Sequence, residues 1–447
     1  MKRRTFTKST SMALVGVSLG APNILRAGRK KDSKLRLAFI GTGLRGRNHV
    51  RNMIVEKDVE CVAISDIDPE AVKETKKLFD KYNVGFPKVY GEHEYSYREM
   101  LEKEDLDAVV IAPNWKWHTT MCIDAMEAGV FTGVEVAGAF SVDECWDLVN
   151  THQRTGTHLM FMENVCYRRD VMAVLNMVRD NVFGELLHLR GGYMHDLRHV
   201  KFDDGKGGVA FGENGFAEAR WRTEHSLRRN GDLYPTHGLG PVSMMVNMNR
   251  GNRLLSISSF ATKSRSLQSY VAKHPKGGKY HAYTQLDWQL GDIVTSTITT
   301  ANGETIIITH DTNTARPYSL DFRVQGVEGV IDFDYGTQRI HIQEKTQAHS
   351  WEDAKPWLKE YDHPLWKEFG DVARDAGHGG MDFFLDRQFI QSAKDNTPPV
   401  IDVYDAATMR AITPLSEASI REGGAVQQIP DFTEGKWITK KPVFGLV

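Results

Sequence analysis

Leu35-Arg36-Leu37-Ala38-Phe39-Ile40-Gly41-Thr42-Gly43-Leu44-Arg45-Gly46 decides the architecture of the chain. Its first six residues are apolar apart from Arg36 and predict a short buried strand. Three glycines in Gly-x-Gly-x-x-Gly spacing follow at once, and Val50, Met53 and Ile54 then recur at helical spacing. In such a strand–turn–helix each glycine has its own task. Gly41 permits the tight turn, Gly43 lets the backbone approach a pyrophosphate, and Gly46 lets helix and strand pack closely. The helix N-terminus, with Leu44 and Arg45 in its first turn, then holds the phosphates. Asp66 stands twenty positions after Gly46, at the end of a second predicted strand, 59–65. A carboxylate there accepts hydrogen bonds from a ribose diol and repels a 2′-phosphate, which favours NAD over NADP. Arg45 keeps NADP from being excluded.

Working outward, 108–112, 130–136 and 158–162 read as further strands, and Ser141-x-x-Glu144 is a capping box that opens a helix. Strand and helix alternate throughout residues 34–165, the pattern of a doubly wound parallel sheet, a Rossmann domain. Ligands of such sheets bind outside the carboxyl ends of the strands. Asn114, Trp115, Trp117 and His118 follow one strand and are expected beside the nicotinamide. Glu135 and Val136 follow the next and are expected on the same edge.

Beyond about residue 184 the pattern changes. Segments 184–193, 254–262, 284–290, 293–300, 304–310 and 320–326 read as strands, joined by turns such as Asn302-Gly303. Helices are expected near 170–180, 237–249, 379–395 and 405–422. Residues 166–447 are therefore expected to form an α+β substrate-binding domain with an open, mainly antiparallel sheet.

Composition narrows the function. The 447 residues are 41% hydrophobic and 26% charged, which is globular. Lys+Arg 56 against Asp+Glu 58 leaves −2, with no basic stripe, so no nucleic acid is expected as partner. No apolar run reaches the roughly 18–20 residues that span a bilayer. At the N-terminus, Lys2-Arg3-Arg4-Thr5-Phe6-Thr7-Lys8, an apolar stretch from Met12 to Ala21 and the small Ala27 follow the order of an export signal. The paired arginines resemble a twin-arginine signal, whose cargo crosses folded. Residues 1–30 are accordingly expected to be signal and linker, and the protein periplasmic or secreted. Cys61, Cys122, Cys145 and Cys166 are widely spaced and read as small buried hydrophobes. His195, Asp196, His225 and His237 match no metal-binding spacing, so no metal is expected.

The two-part plan resembles the glucose-fructose oxidoreductase-type (Gfo/Idh/MocA) dehydrogenase superfamily. Most of those enzymes carry Glu-Lys-Pro after the fifth strand, with the lysine assisting catalysis; this chain has Glu135-Val136-Ala137 and no lysine. Longer motifs are more specific. They include Glu163-Asn-Val-Cys-Tyr-Arg-Arg-Asp-Val-Met172, Gly192-Tyr193-Met-His195-Asp-Leu-Arg198 and Trp221-Arg222-Thr223. Asp232-Leu-Tyr234-Pro-Thr-His237, Thr309-His-Asp-Thr-Asn-Thr-Ala-Arg-Pro-Tyr318 and Ala376-Gly-His-Gly-Gly-Met-Asp382 belong with them. Together these resemble glycoside hydrolase family 109, founded on an NAD-dependent α-N-acetylgalactosaminidase, over nearly all of residues 34–447.

That resemblance implies hydrolysis of terminal N-acetylgalactosamine from glycans with NAD tightly held and recycled, a stated exception to carboxylate-pair glycosidases. The implied route is oxidation at sugar C3, proton removal at C2, loss of the aglycone from C1, water addition and return of the hydride. Tyr193 matches the family's proposed C2 base and needs a lowered pKa for it; His195 and His237 are the other candidates, His237 also for the C3 hydroxyl. Tyr234, Tyr318, Arg222 and Asn164 match positions near sugar and cofactor. A periplasmic NAD(P)-dependent sugar dehydrogenase, and a sugar-binding protein that keeps NAD structurally, stay open as alternatives, as does a homo-oligomer.

Overall fold

The opening motif folds as read. In the computed structural model, which describes residues 33–446 apart from 213 and 335, Leu35–Ile40 is strand β1 and Leu44–Met53 helix α1. The paired arginines and the rest of the expected export signal lie outside the described residues. Val59–Ser65 (β2), Lys88–Tyr90 (β3), Ala108–Ile111 (β4), Phe131–Val134 (β5) and Leu159–Phe161 (β6) complete a six-stranded sheet of order β3-β2-β1-β4-β5-β6. Every pairing in it is parallel. The strands are buried on both faces because helices cover both, which is why they read as unbroken apolar runs. Ser141 caps the helix Val142–Thr155 by accepting from the Glu144 N–H at 3.2 Å. The Glu144 carboxylate bonds Phe140 N–H rather than closing the box on Ser141.

The second sheet has nine strands: Leu186–Met194 (β7), Leu254–Ala261 (β8), Val294–Thr300 (β9), Thr305–Asp311 (β10), Phe322–Gly326 (β11), Gly329–Asp334 (β12), Thr337–Ile342 (β13), Glu352–Asp353 (β14) and Gln427–Gln428 (β15). Their order is β14-β13-β12-β11-β7-β10-β9-β8-β15. All neighbours are antiparallel except β7 and β10, which run parallel, with Tyr193 opposite His310. More than a hundred residues separate those two strands, ample for the crossover that a parallel pair needs.

One expected strand is absent, and two strands stand where none was expected. Segment 284–290 is not a strand: Ala282–Gln285 is a helical turn capped by His281, and the Trp288 indole donates to Tyr283 O at 3.1 Å. Its apolar residues serve a separate aromatic cluster with Phe202, Leu267 and Val271. Strands β12 and β13 were absent from the sequence reading, because Gly329 and the polar residues of 337–342 hide their alternation.

The last two long helices, Met381–Asp395 and Val403–Arg421, return to the first sheet. Phe389 packs 5.7 Å from the Phe131 ring, and a Cβ on Gly133 would meet it at 2.6 Å. Phe161 N–H donates to Ile401 O and Ala139 N–H to Arg410 O, both at 3.0 Å. One face of the nucleotide sheet is thus finished by the far end of the chain.

Candidate active site

A cleft of about 720 Å³ opens at the carboxyl edge of the first sheet and is walled by both halves of the chain. On its nucleotide side Gly41 has φ +82°, and a Cβ there would meet Pro113 N at 2.5 Å. A Cβ on Gly46 would lie 2.0 Å from Gly41 O, so Gly46 packs helix on strand and does not line the cleft. Gly43 is the reverse: a Cβ there would meet nothing within 4 Å, and no side chain caps α1. Open space before bare helix amides is what a diphosphate requires. Asp66 ties the loop down, its Oδ2 accepting from Thr42 N–H at 2.6 Å and its Oδ1 from Asp68 N–H at 2.9 Å, while still lining the cleft. Burial raises its pKa. Asn114 Oδ1 is buried without a partner, an acceptor aimed at no protein donor. These features fit a dinucleotide, with Gly41, Gly43, Leu44, Asp66 and Asn114 positioned to hold it.

Trp115, Trp117, His118, Glu135, Val136 and Asn164 also line the cleft. Burial and Arg410 hold His118 neutral, pushed down to about 4. Trp115 carries the interdomain contact as well, with Trp221 at 4.9 Å and Tyr234 at 5.5 Å. Arg45 departs from its expected part. It lines the cleft, but its guanidinium is largely committed to Glu135 (2.6 Å) and Asp382 (2.6 and 3.1 Å), which turns it away from a 2′-phosphate. Burial works against its charge, but Glu135 and Asp382 more than offset that and raise its pKa. His49 bridges the same Glu135 (2.7 Å) to Asp386 (2.6 Å); against its burial, Asp386 lifts it to about 9, an imidazolium in the interior. Asn164 reaches Asp382 at 2.8 Å.

The opposite wall gathers the aromatic motifs. Tyr193 is the last residue but one of β7, its ring 4.9 Å from Tyr234 and 5.1 Å from His237, its hydroxyl 3.4 Å from His195 Nδ1. Burial pushes its phenol up to about 12 although Arg222 pulls the other way, so the expected lowering is not met in the free cleft. His195 is lowered, by burial first. His237 points Nδ1 at both oxygens of Glu163, 2.8 and 3.0 Å away, and Glu163 is fully buried. A carboxylate on Nδ1 fixes the tautomer with its lone pair on Nε2. Arg222 lies over Trp115 and pairs with Glu218 at 2.8 Å. Tyr318 does not line the cleft; it is 45% exposed and packs edge-on to His195 at 5.4 Å. Asp196 pairs with Arg198, and His225 stacks on Trp115, so neither joins His195 and His237. Glu163, the residue that orients His237, was not singled out from the sequence. Its signal was its place directly after β6, on the ligand edge.

The model for the glycosyl hydrolase 109 C-terminal domain matches residues 167–439, and that for the oxidoreductase family NAD-binding Rossmann fold matches 35–163. A family 109 protein of Parabacteroides distasonis is 47% identical over 466 residues, covering 99% of both chains. This chain belongs to glycosyl hydrolase family 109. It is a glycoside hydrolase with an NAD-binding Rossmann half. An α-N-acetylgalactosaminidase of Tannerella forsythia is 49% identical over 93% of this chain and 90% of its own. Among solved structures, levoglucosan dehydrogenase with NADH and levoglucosan superposes with TM-score 0.63 at 18% identity, over 89% of this chain and all of that one. An NAD-binding oxidoreductase of Klebsiella pneumoniae gives 0.64 at 16%, over 89% and 100%. At that identity the likeness is one of fold. This family 109 chain thus shares its fold with those NAD-binding oxidoreductases.

Proposed function

We propose that this enzyme releases terminal α-linked N-acetylgalactosamine from glycans with no net redox change, keeping one NAD through every turnover. The observation that carries the reading is that the glycine loop, Tyr193 and the Glu163–His237 pair all face one cleft. Bound NAD supplies a reversible hydride acceptor at sugar C3. His237 Nε2 takes the C3 hydroxyl proton, and Glu163 stabilises the imidazolium that results. The C2 proton, acidified by the C3 ketone, goes to Tyr193, whose own proton His195 Nδ1 accepts from 3.4 Å. The aglycone departs from C1 with the C2–H electron pair forming the C1–C2 double bond. Water then adds back across that bond, and the C3 ketone is reduced. Arg222 and Tyr234 bound the sugar side. Export in the folded state, directed by Arg3 and Arg4, places this activity in the periplasm or outside; changing both to Lys should leave precursor in the cytosol.

The test is purified protein with an aryl N-acetyl-α-galactosaminide. Aglycone release without accumulating NADH is expected. Accumulating NADH would make the enzyme a sugar dehydrogenase, and neither signal would leave a sugar-binding protein.

A further inference from the structure

Behind the sugar-facing wall lies a second cavity of about 10 Å³, which shares Trp115, Arg222 and Tyr234 with the cleft. Its remaining walls include Lys201, His310, Thr312, Leu233 and Leu290, and no carboxylate. Lys201 is only 2% exposed, and its Nζ reaches neutral partners, Thr312 Oγ1 at 2.9 Å and Asn313 Oδ1 at 2.5 Å. That leaves one N–H of its three. Arg222 is 9% exposed; its Nη2 takes Glu218, and its buried Nε has no partner. His310, 2% exposed, has an unpartnered Nδ1.

The neighbouring carboxylates are committed elsewhere. Asp311 accepts from Thr314 and Arg316, Asp292 from the Arg265 and Ser266 amides, and Asp196 pairs with Arg198. Arg222 has Glu218 as its ion-pair partner, but Lys201 makes no ion pair among the described residues, and unspent donors of Lys201 and Arg222 meet at a cavity whose walls hold no carboxylate. Burial, with Arg222 adding to it, pushes Lys201 down to about 7, and His310 is held neutral near 3 for the same reasons. An unpaired buried charge is costly, and it is answered by a partner of opposite sign or by loss of the charge. A volume of about 10 Å³ suits a single small species.

We propose that this cavity is a halide site, filled by chloride, which accepts from Lys201 Nζ, Arg222 Nε and the Nδ1–H tautomer of His310. The anion pairs with the Lys201 ammonium and braces the Arg222 guanidinium from behind, against Trp115 at 4.9 Å and Tyr234 at 5.5 Å. It acts through Arg222 and touches no substrate.

Two experiments decide it. Crystals of the full enzyme grown in bromide should show an anomalous peak between Lys201 Nζ and Arg222 Nε; water density there with no peak overturns the proposal. In solution, chloride replacing gluconate at constant ionic strength should raise the thermal midpoint saturably in the wild type and in the exposed control Lys206→Met. In Lys201→Met that rise should vanish. An equal rise in Lys201→Met, or none in the wild type, overturns the site. If Lys201→Met fails to fold, the bromide crystal of the wild type decides alone.

Discussion

Replacing Glu163 by Gln keeps the shape of a fully buried side chain and removes its charge. Its two oxygens lie 2.8 and 3.0 Å from His237 Nδ1, and Oε1 also accepts the Val165 amide at 2.9 Å. No water can take the place of the lost charge at a residue with no exposed surface. A hydrogen bond to a charged group contributes about 1.5–3 kcal/mol. If the imidazolium forms in the transition state, that loss slows the reaction about 10- to 160-fold. A Gln amide can also donate to Nδ1, which moves the imidazole proton to Nε2 and removes the base; the same tautomer error costs about 10⁴-fold in a Ser-His-Asp triad. The expected fall is therefore between about tenfold and 10⁴-fold. Single-turnover release of an aryl aglycone measures it, with nucleotide content and denaturant midpoint as controls for folding. With His237 as the proposed base for the C3 hydroxyl, the variant should stall before any reduced nicotinamide absorbs. Wild-type turnover in Glu163→Gln, with NAD and stability intact, would refute the role of the pair.

Tyr193→Phe should behave oppositely: aglycone release falls about 10²–10⁴-fold while bound NADH accumulates with sugar present, and exchange of the C2 proton falls in parallel. Near wild-type hydrolysis with C2 exchange retained would move the base to His195 or His237. His49 has a folded value near 9 against about 6.5 unfolded, so its stabilisation is complete below about pH 6.5 and lost as pH rises through 9. It amounts to on the order of 3 kcal/mol, and urea midpoints from pH 6 to 10 should fall more steeply in wild type than in His49→Gln. Gly46→Val would drive a Cβ to 2.0 Å from Gly41 O. It should lose nucleotide on desalting and about 1–3 kcal/mol of stability; a variant that keeps both would show the packing role is wrong.

The nucleotide half was legible because its signals are local. Gly41, Gly43, Gly46 and Asp66 sit at spacings set by backbone geometry, and the strands are apolar on both faces. The aromatic wall was legible only through long motifs, since nothing in the spacing of Tyr193, Tyr234 and His237 says that their rings lie within 5.1 Å of one another. Glu163 and His49, and the ion pairs of Arg45, escaped for a different reason. Their roles depend on partners 74 to 337 residues away, Asp382 and Asp386 among them, and no local pattern encodes such pairing. The helix 403–421 did carry a hint. Small and apolar residues such as Ala406, Ala407, Met409, Ala411, Ile412 and Leu415 run through it, although Asp405, Arg410, Thr413 and Ser416 interrupt them and are buried too.

That helix has a consequence for the timing of synthesis. The strands of the nucleotide sheet leave the ribosome first, yet Phe389, which covers Phe131 and Gly133 of β5, is made 224 residues after position 165, and the helix 403–421 beside β6 is complete 256 residues after it. At about 5–20 residues per second, roughly 10 to 50 s pass in which Phe131, Gly133 and Phe161 face solvent. The half of the protein translated earliest is completed last. A cleft able to hold NAD is therefore finished only after the C-terminal helices have been made, because its walls run from Ile40 to His378.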